Sequence, residues 1–289
     1  MSRRTIHVSH SPDSDDAFMF YALAQNKIDL RDYRFEHRLE DIQTLNERAL
    51  RGELDISAIS IHAYSYVADK YALLSCGASM GDGYGPIVIR PIPNPKTQNP
   101  APDVDLGEWL SHHVIAVPGK MTSAFLALEL YLGEFKHVVV PFDQIFEALH
   151  QGKADAGLLI HEGQLTYGRA GFEKIVDLGA WWKTETGLPL PLGGNVIRKD
   201  LPLQIQRDLA GLVRESIEYG LLHREEAVTY AMAYARDLNP TLTDKFIGMY
   251  VNEYTRDYGE RGRAAVRRFL GEATRAGYVN GSIEPDFVD

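Results

Sequence analysis

Reactive chemistry is suggested most sharply at residues 157–162, where the apolar run Gly157–Ile160 ends in His161 and Glu162. Runs of this kind form strands buried on both faces, and the carboxyl ends of such strands open onto the crevice where α/β proteins bind ligands. Histidine can titrate near neutral pH, so one at that position could serve as a general base. The competing reading is a polar residue that ends a strand and bonds locally. Three other turns bear on the choice.

The first, Ser9–Asp16, follows an apparent strand and carries Ser11, Asp13, Ser14, Asp15 and Asp16. Ser14 or Asp15 suits the N-cap of the helix that follows, and acids in a first turn complement the helix dipole. The three carboxylates also form a set that could hold Mg²⁺ or a cationic group, but no other ligand set is visible and no metal is expected. The second turn, Ile56–Tyr64, places Ser60 at a helix start with His62 in its first turn. Ser60 reads as a cap, and free amides at such a terminus can bind a carboxylate. The third, Val117–Phe125, joins Gly119 to Thr122 and Ser123, donors suited to an anion. It lacks the spacing of a P-loop, and no Gly-x-Gly-x-x-Gly follows the first strand. No nucleophile elbow is present either.

The elements that must position these turns alternate over roughly the first 200 residues, the pattern of parallel βαβ units. Strands are expected over 5–9, 34–38, 54–59, 72–76, 87–90, 113–118, 137–141, 156–160 and 175–178, and helices over 15–25, 42–51, 61–69, 123–132 and 144–151. Gly52 and Gly152 act as stop signals. After Lys199 the periodicity is helical only, over 203–223, 224–237, 241–252 and 260–276. Five prolines within Pro91–Pro102 and the Gly/Pro-rich stretch Gly187–Gly194 bracket the middle of the chain. They predict a lobe at 89–194 inserted into one built from 1–88 and 195–289, with a ligand cleft between.

Composition narrows the partners. The chain has 289 residues, 45% hydrophobic and 24% charged, enough for two cored lobes, and its net charge of -10 argues against nucleic acid or an anionic membrane. Cys76 is the single cysteine, so neither an intrachain disulfide nor a cysteine metal site is expected. No stretch approaches the roughly 20 apolar residues of a membrane span or the apolar core of a secretory signal. The expectation is a cytoplasmic protein, a monomer or weak homodimer, with a small-molecule substrate and no cofactor.

At Ser11–Leu23, Leu39–Asn46, Val117–Gly119, Ile160–Glu162, Val176–Trp182 and Thr186–Gly193 the chain resembles the menaquinone-pathway enzymes with a periplasmic-binding-protein fold, and most of all the 1,4-dihydroxy-6-naphthoate synthases of the futalosine route. The resemblance runs over nearly the whole chain. It implies an α/β, two-lobed type II periplasmic-binding-protein-like fold with a helical C-terminal segment. It also implies a lyase that acts on cyclic dehypoxanthinylfutalosine, without metal or organic cofactor, and releases the naphthoate. By the same resemblance His161 is the base, and Ser11, Asp16, Ser60, Gly119, Thr122 and Ser123 bind substrate. A solute-binding protein for a small cationic metabolite and the sister chorismate dehydratase are the alternatives. One departure stands out. The family's first loop typically reads Ser-Pro-Cys-Pro-Asn-Asp-Thr, and here Asp13 and Asp15 bring carboxylates into it. Facing a ligand they repel a carboxylated substrate; as cap residues they face solvent.

Overall fold

The computed structural model describes residues 3–92, 106–235 and 238–289. Of the proline-rich stretch only Pro91 and Ile92 fall within these, and the end expected for the 224–237 helix, at 236–237, lies outside them. Two compact units form: Met1–Gly81 with Pro191–Asp289, and Asp82–Leu190.

The first unit opens with β1 (Arg4–His10), α1 (Ser14–Ala24), β2 (Tyr33–Leu39), α2 (Ile42–Leu50), β3 (Ile56–Ser60), α3 (Ile61–Tyr64), β4 (Tyr71–Leu74) and β5 (Ser79–Gly81). The second unit holds β6 (Ile87–Pro91), α4 (Leu106–His112), β7 (Ile115–Val117), α5 (Ser123–Leu132), β8 (His137–Val139), α6 (Ile145–His150), β9 (Ala156–Leu159), α7 (Gly163–Thr166), β10 (Phe172–Asp177) and α8 (Leu178–Thr186). The chain then returns to the first unit through β11 (Leu190–Arg198). It ends with α9 (Leu203–Leu222), α10 (Arg224–Ala231), α11 (Pro240–Tyr250), α12 (Glu253–Arg256), α13 (Gly259–Arg275) and β12 (Phe287–Val288).

The first unit's sheet runs β12-β4-β11-β3-β1-β2, with β5 on β11. β1 pairs parallel with β2 and β3, whereas β11 lies antiparallel to both β3 and β4. The second unit's sheet runs β10-β6-β9-β7-β8, parallel from β9 through β8 and antiparallel at β6 and β10. Both sheets are therefore mixed, not the purely parallel βαβ series that the alternation predicts. The strands where the chain enters and re-enters a unit are the ones inserted the opposite way round.

Helix α1 shows why the C-terminal helices belong to this core. Phe18, Met19, Phe20, Tyr21 and Leu23 are all buried, so α1 is apolar on every side and needs cover beyond the sheet. The cover comes from α9, α10 and α11. Small residues on α9 permit the approach: a Cβ on Gly220 would lie 3.2 Å from Phe18, and the Ser216 hydroxyl donates to the Met19 carbonyl at 2.8 Å. Each buried phenylalanine of α1 contributes about 1.5–3 kcal/mol relative to exposure.

Two expectations over 61–69 and 175–178 need correction. The helix after β3 closes at Tyr64, because the amides of Ser65, Tyr66 and Val67 bond to the third carbonyl back, the tighter pattern that ends an α-helix. The strand expected at 175–178 stops at Asp177, whose carboxylate caps α8 by accepting from the Gly179 and Ala180 amides at 3.1 and 3.0 Å. Gly179 also lies against the backbone before β6, where a Cβ would sit 1.9 Å from the Tyr84 carbonyl oxygen. Asp177 followed by Gly179 is a cap signal that a strand reading passes over.

Candidate functional site

In the first unit, β1 delivers Ser11 to the turn before α1. The Ser11 amide donates to Asp16 Oδ2 at 2.7 Å, and its carbonyl meets His10 Nδ1 at 3.0 Å. Asp16 thus reaches back from the third helical position, as in a capping box displaced by two residues. Neither Ser14 nor Asp15 is the cap. Asp13 holds that position without a side-chain cap bond, and Ser14 is the first helical residue. Asp13 is also 4% exposed, so it does not face solvent as a cap residue would. Burial pushes the Asp15 carboxyl up to about 7, with the Asp13 charge adding to it. Burial raises Asp16 as well, followed by the charges of Asp15 and Asp13.

Ser60 lies at the end of β3, at the cap position of α3, but its hydroxyl makes no cap bond. Asn46 of α2 engages it instead: Nδ2 donates to Ser60 Oγ at 3.0 Å, and Oδ1 accepts from the Ser60 amide at 2.9 Å. Both residues are buried. Asn46 stands in a segment that carries the family resemblance, yet sequence reasoning gives it no role. The signal available was a polar residue on the buried side of α2, next to Leu45 and about one turn before Ala49. His62, in the first turn of α3, is buried, with Nε2 3.3 Å from the Tyr66 hydroxyl.

In the second unit, Gly119, Thr122 and Ser123 build the start of α5. Thr122 is its cap: Oγ1 accepts from the Phe125 amide at 3.1 Å and donates to the Gly119 carbonyl at 2.9 Å. The Thr122 hydroxyl thus holds the turn, and Ser123 occupies the first helical position, 2% exposed. His161 follows β9, whose four residues are all buried. α6 packs directly on that strand, since a Cβ on Gly157 would lie 2.5 Å from Ile145. Phe142 sets its ring edgewise on the His161 imidazole, with centroids 4.1 Å apart. His161 also starts the α7 turn, its carbonyl accepting from the Gln164 amide at 2.9 Å. The His161 imidazole is half-buried and braced by an aromatic ring, and Glu162, next to it in sequence, is buried.

Residues 6–275 match the family described as Menaquinone biosynthesis. The chain belongs to the menaquinone biosynthesis family. It is 39% identical over 283 residues to the 1,4-dihydroxy-6-naphthoate synthase of Thermus thermophilus, covering 98% of this chain and 99% of that one. It is 36% identical over 285 residues to the enzyme of the same name from Streptomyces coelicolor, covering 96% of each. A crystal structure of a protein from Archaeoglobus fulgidus is 43% identical, with a TM-score of 0.87 over 95% of this chain and 98% of that one. A Candida albicans protein described as having the generic periplasmic binding protein fold superposes with a TM-score of 0.71 at 14% identity, over 96% of this chain and 92% of its own. That likeness shows the fold alone. The periplasmic-binding-protein-like fold and the menaquinone-pathway membership implied by the sequence motifs therefore hold. Among the described residues no helix of this family member is long and apolar enough to cross a membrane.

Proposed function

We propose that this chain is a 1,4-dihydroxy-6-naphthoate synthase, a lyase that converts cyclic dehypoxanthinylfutalosine without metal or organic cofactor. The observation that carries the reading is the near-full-length identity, 39% over 283 residues, to a relative of that name. The local geometry supports it. His161, braced by Phe142, takes a proton from substrate carbon, and the bond cleavage that follows places negative charge on oxygen. Donors fixed in advance lower the cost of that charge. In the second unit these are the first-turn amides of α5 and the Ser123 hydroxyl, on a turn held rigid by Thr122 and Gly119. In the first unit Ser11, Asp16 and Ser60 bind substrate, Ser60 with its hydroxyl directed by Asn46.

The test is incubation of purified protein with the cyclic futalosine derivative, with chromatographic detection of the naphthoate. Product is expected from wild type. His161→Ala is expected to lose about 10²–10⁴-fold in kcat, the usual contribution of a general base. No product from wild type, undiminished turnover by His161→Ala, or dehydration of chorismate in its place would refute the assignment.

A further inference from the structure

Resting on that reading, we infer that His10 and His37 are a neutral imidazole pair with one fixed hydrogen orientation, which positions the Ser11–Asp16 turn for substrate by acting through Ser11. His10 is the last residue of β1 and is 4% exposed. Its Nδ1 lies 3.0 Å from the Ser11 carbonyl, and its Nε2 lies 3.3 Å from His37 Nδ1. Phe20 of α1 stacks on the His10 ring at 4.7 Å between centroids and fixes its plane. A carbonyl only accepts, so Nδ1 of His10 carries the hydrogen and Nε2 is left with its lone pair. His37 must then donate from Nδ1, and its own Nε2 is the bare nitrogen. That atom is buried with no hydrogen-bond partner among the described residues. The arrangement is self-consistent in one direction only. Reversing the hydrogens would remove the donor from the Ser11 carbonyl and bury an N–H of His37 with nothing to accept it.

The consequence is local to Ser11. Its carbonyl is held by His10 and its amide by Asp16, so both main-chain polar groups of the residue are fixed from opposite sides. Charge on either ring would break the scheme. Burial pulls the His10 imidazole down to about 3, with His37 beside it adding to the effect, and burial pulls His37 down to about 4. Neither ring need touch substrate, so both are positioning residues.

The pairing arises from register. Val8 of β1 pairs with His37 of parallel β2, and His10 lies two residues beyond Val8 on the same face. The two rings, 27 positions apart in sequence, are therefore diagonal neighbours on one face of the sheet and meet edge to face.

Two measurements test the pair. Long-range ¹⁵N–¹H correlation on protein labelled at histidine, at pH 7, should show hydrogen on Nδ1 of both His10 and His37. Hydrogen on Nε2 of His10 would overturn the inference. That reading needs no substrate and no variant. In the second measurement, His10→Phe keeps an aromatic ring for the Phe20 stack but loses the donor. It is expected to raise KM for the cyclic futalosine derivative about five- to tenfold, with kcat changed less than about threefold. His10→Asn places an amide N–H where Nδ1 stands and should recover most of that KM. An unchanged KM in His10→Phe, or an equal defect in His10→Asn, would overturn the inference. If wild type releases no naphthoate, the proposed function fails, and the tautomer measurement still decides the pair.

Discussion

Replacing Asn46 by leucine tests the geometry of Ser60 quantitatively. The side chain is fully buried, and it satisfies two groups of Ser60 at once, the amide at 2.9 Å and the hydroxyl at 3.0 Å. Leucine has nearly the same volume and leaves both groups without this partner. An orphaned buried amide costs about 1–3 kcal/mol, and the hydroxyl, which can rotate, about 1 kcal/mol. The extra apolar surface returns about 1 kcal/mol, leaving a net loss of roughly 1–3 kcal/mol. Ser60→Ala removes only the hydroxyl and should cost about 1 kcal/mol. The two changes share a contact, so the double variant should be less destabilised than the sum of the singles by about 1 kcal/mol. Asn46→Asp separates charge from shape. It keeps the acceptor for the Ser60 amide, and its penalty should grow with rising pH as the buried carboxyl ionises. The assay is urea denaturation followed by circular dichroism, with the midpoint compared at constant slope. A loss below about 0.5 kcal/mol for Asn46→Leu, or strict additivity with Ser60→Ala, would refute the pairing.

Three further outcomes are expected. Gly179→Ala would drive a methyl to 1.9 Å from the Tyr84 carbonyl and 2.5 Å from the Gly85 nitrogen, so α8 must shift; a loss of about 3 kcal/mol is expected, and a melting temperature equal to wild type would contradict the close approach. Asp15→Asn should be stabilising above pH 7, because a carboxyl whose folded value is about 7 is costly when ionised, and the advantage should vanish as pH falls toward 4. Its size is at most about 4 kcal/mol, and nearer 1–2 given that the side chain is only half-buried; pH-independent stability differences in paired urea melts would rule this out. In wild type the loss runs the other way for His10 and His37, whose lowered values remove stability as pH falls from 6.5 toward 4, so the variant should also show the steeper acid branch. Finally, burial raises the Cys76 thiol to about 12, so the native protein should resist a chromogenic disulfide reagent and release one equivalent of chromophore only on unfolding. Rapid labelling of the native state would contradict that burial.

Much of the candidate site was legible because its signals are local. β3 and β9 announce themselves as short strand-like runs, and the polar residue of each lies at the strand's end, Ser60 as the last residue of β3 and His161 two residues past β9. Thr122 was legible as a hydroxyl in the turn before an apolar helix, but its work as the cap of α5 was not read from the sequence. The first turn was legible in its residues but not in their roles. A cap depends on which oxygen points at which amide, and Asp16 points back to Ser11 while Asp13 caps nothing. The helical tail was legible from periodicity, whereas α8 was not, since its start lies inside an apolar stretch that also fits a strand.

The sequence by itself determined which segments form strands and helices where period and caps agree, and the motifs that place the chain in its family. Both rest on neighbours a few residues apart, whose interactions hold in any fold. Only the tertiary structure decided what meets over long separations. Asn46 reaches Ser60 because α2 packs along β3, and His37 reaches His10 because β2 pairs parallel with β1 in one register. A shift of one residue in that register would turn His37 to the other face and dissolve the pair. Likewise the antiparallel entry of β11 between β3 and β4 depends on where the chain returns from its second unit. Such pairings are chosen by the burial of whole faces, a sum over many residues that no local stretch contains.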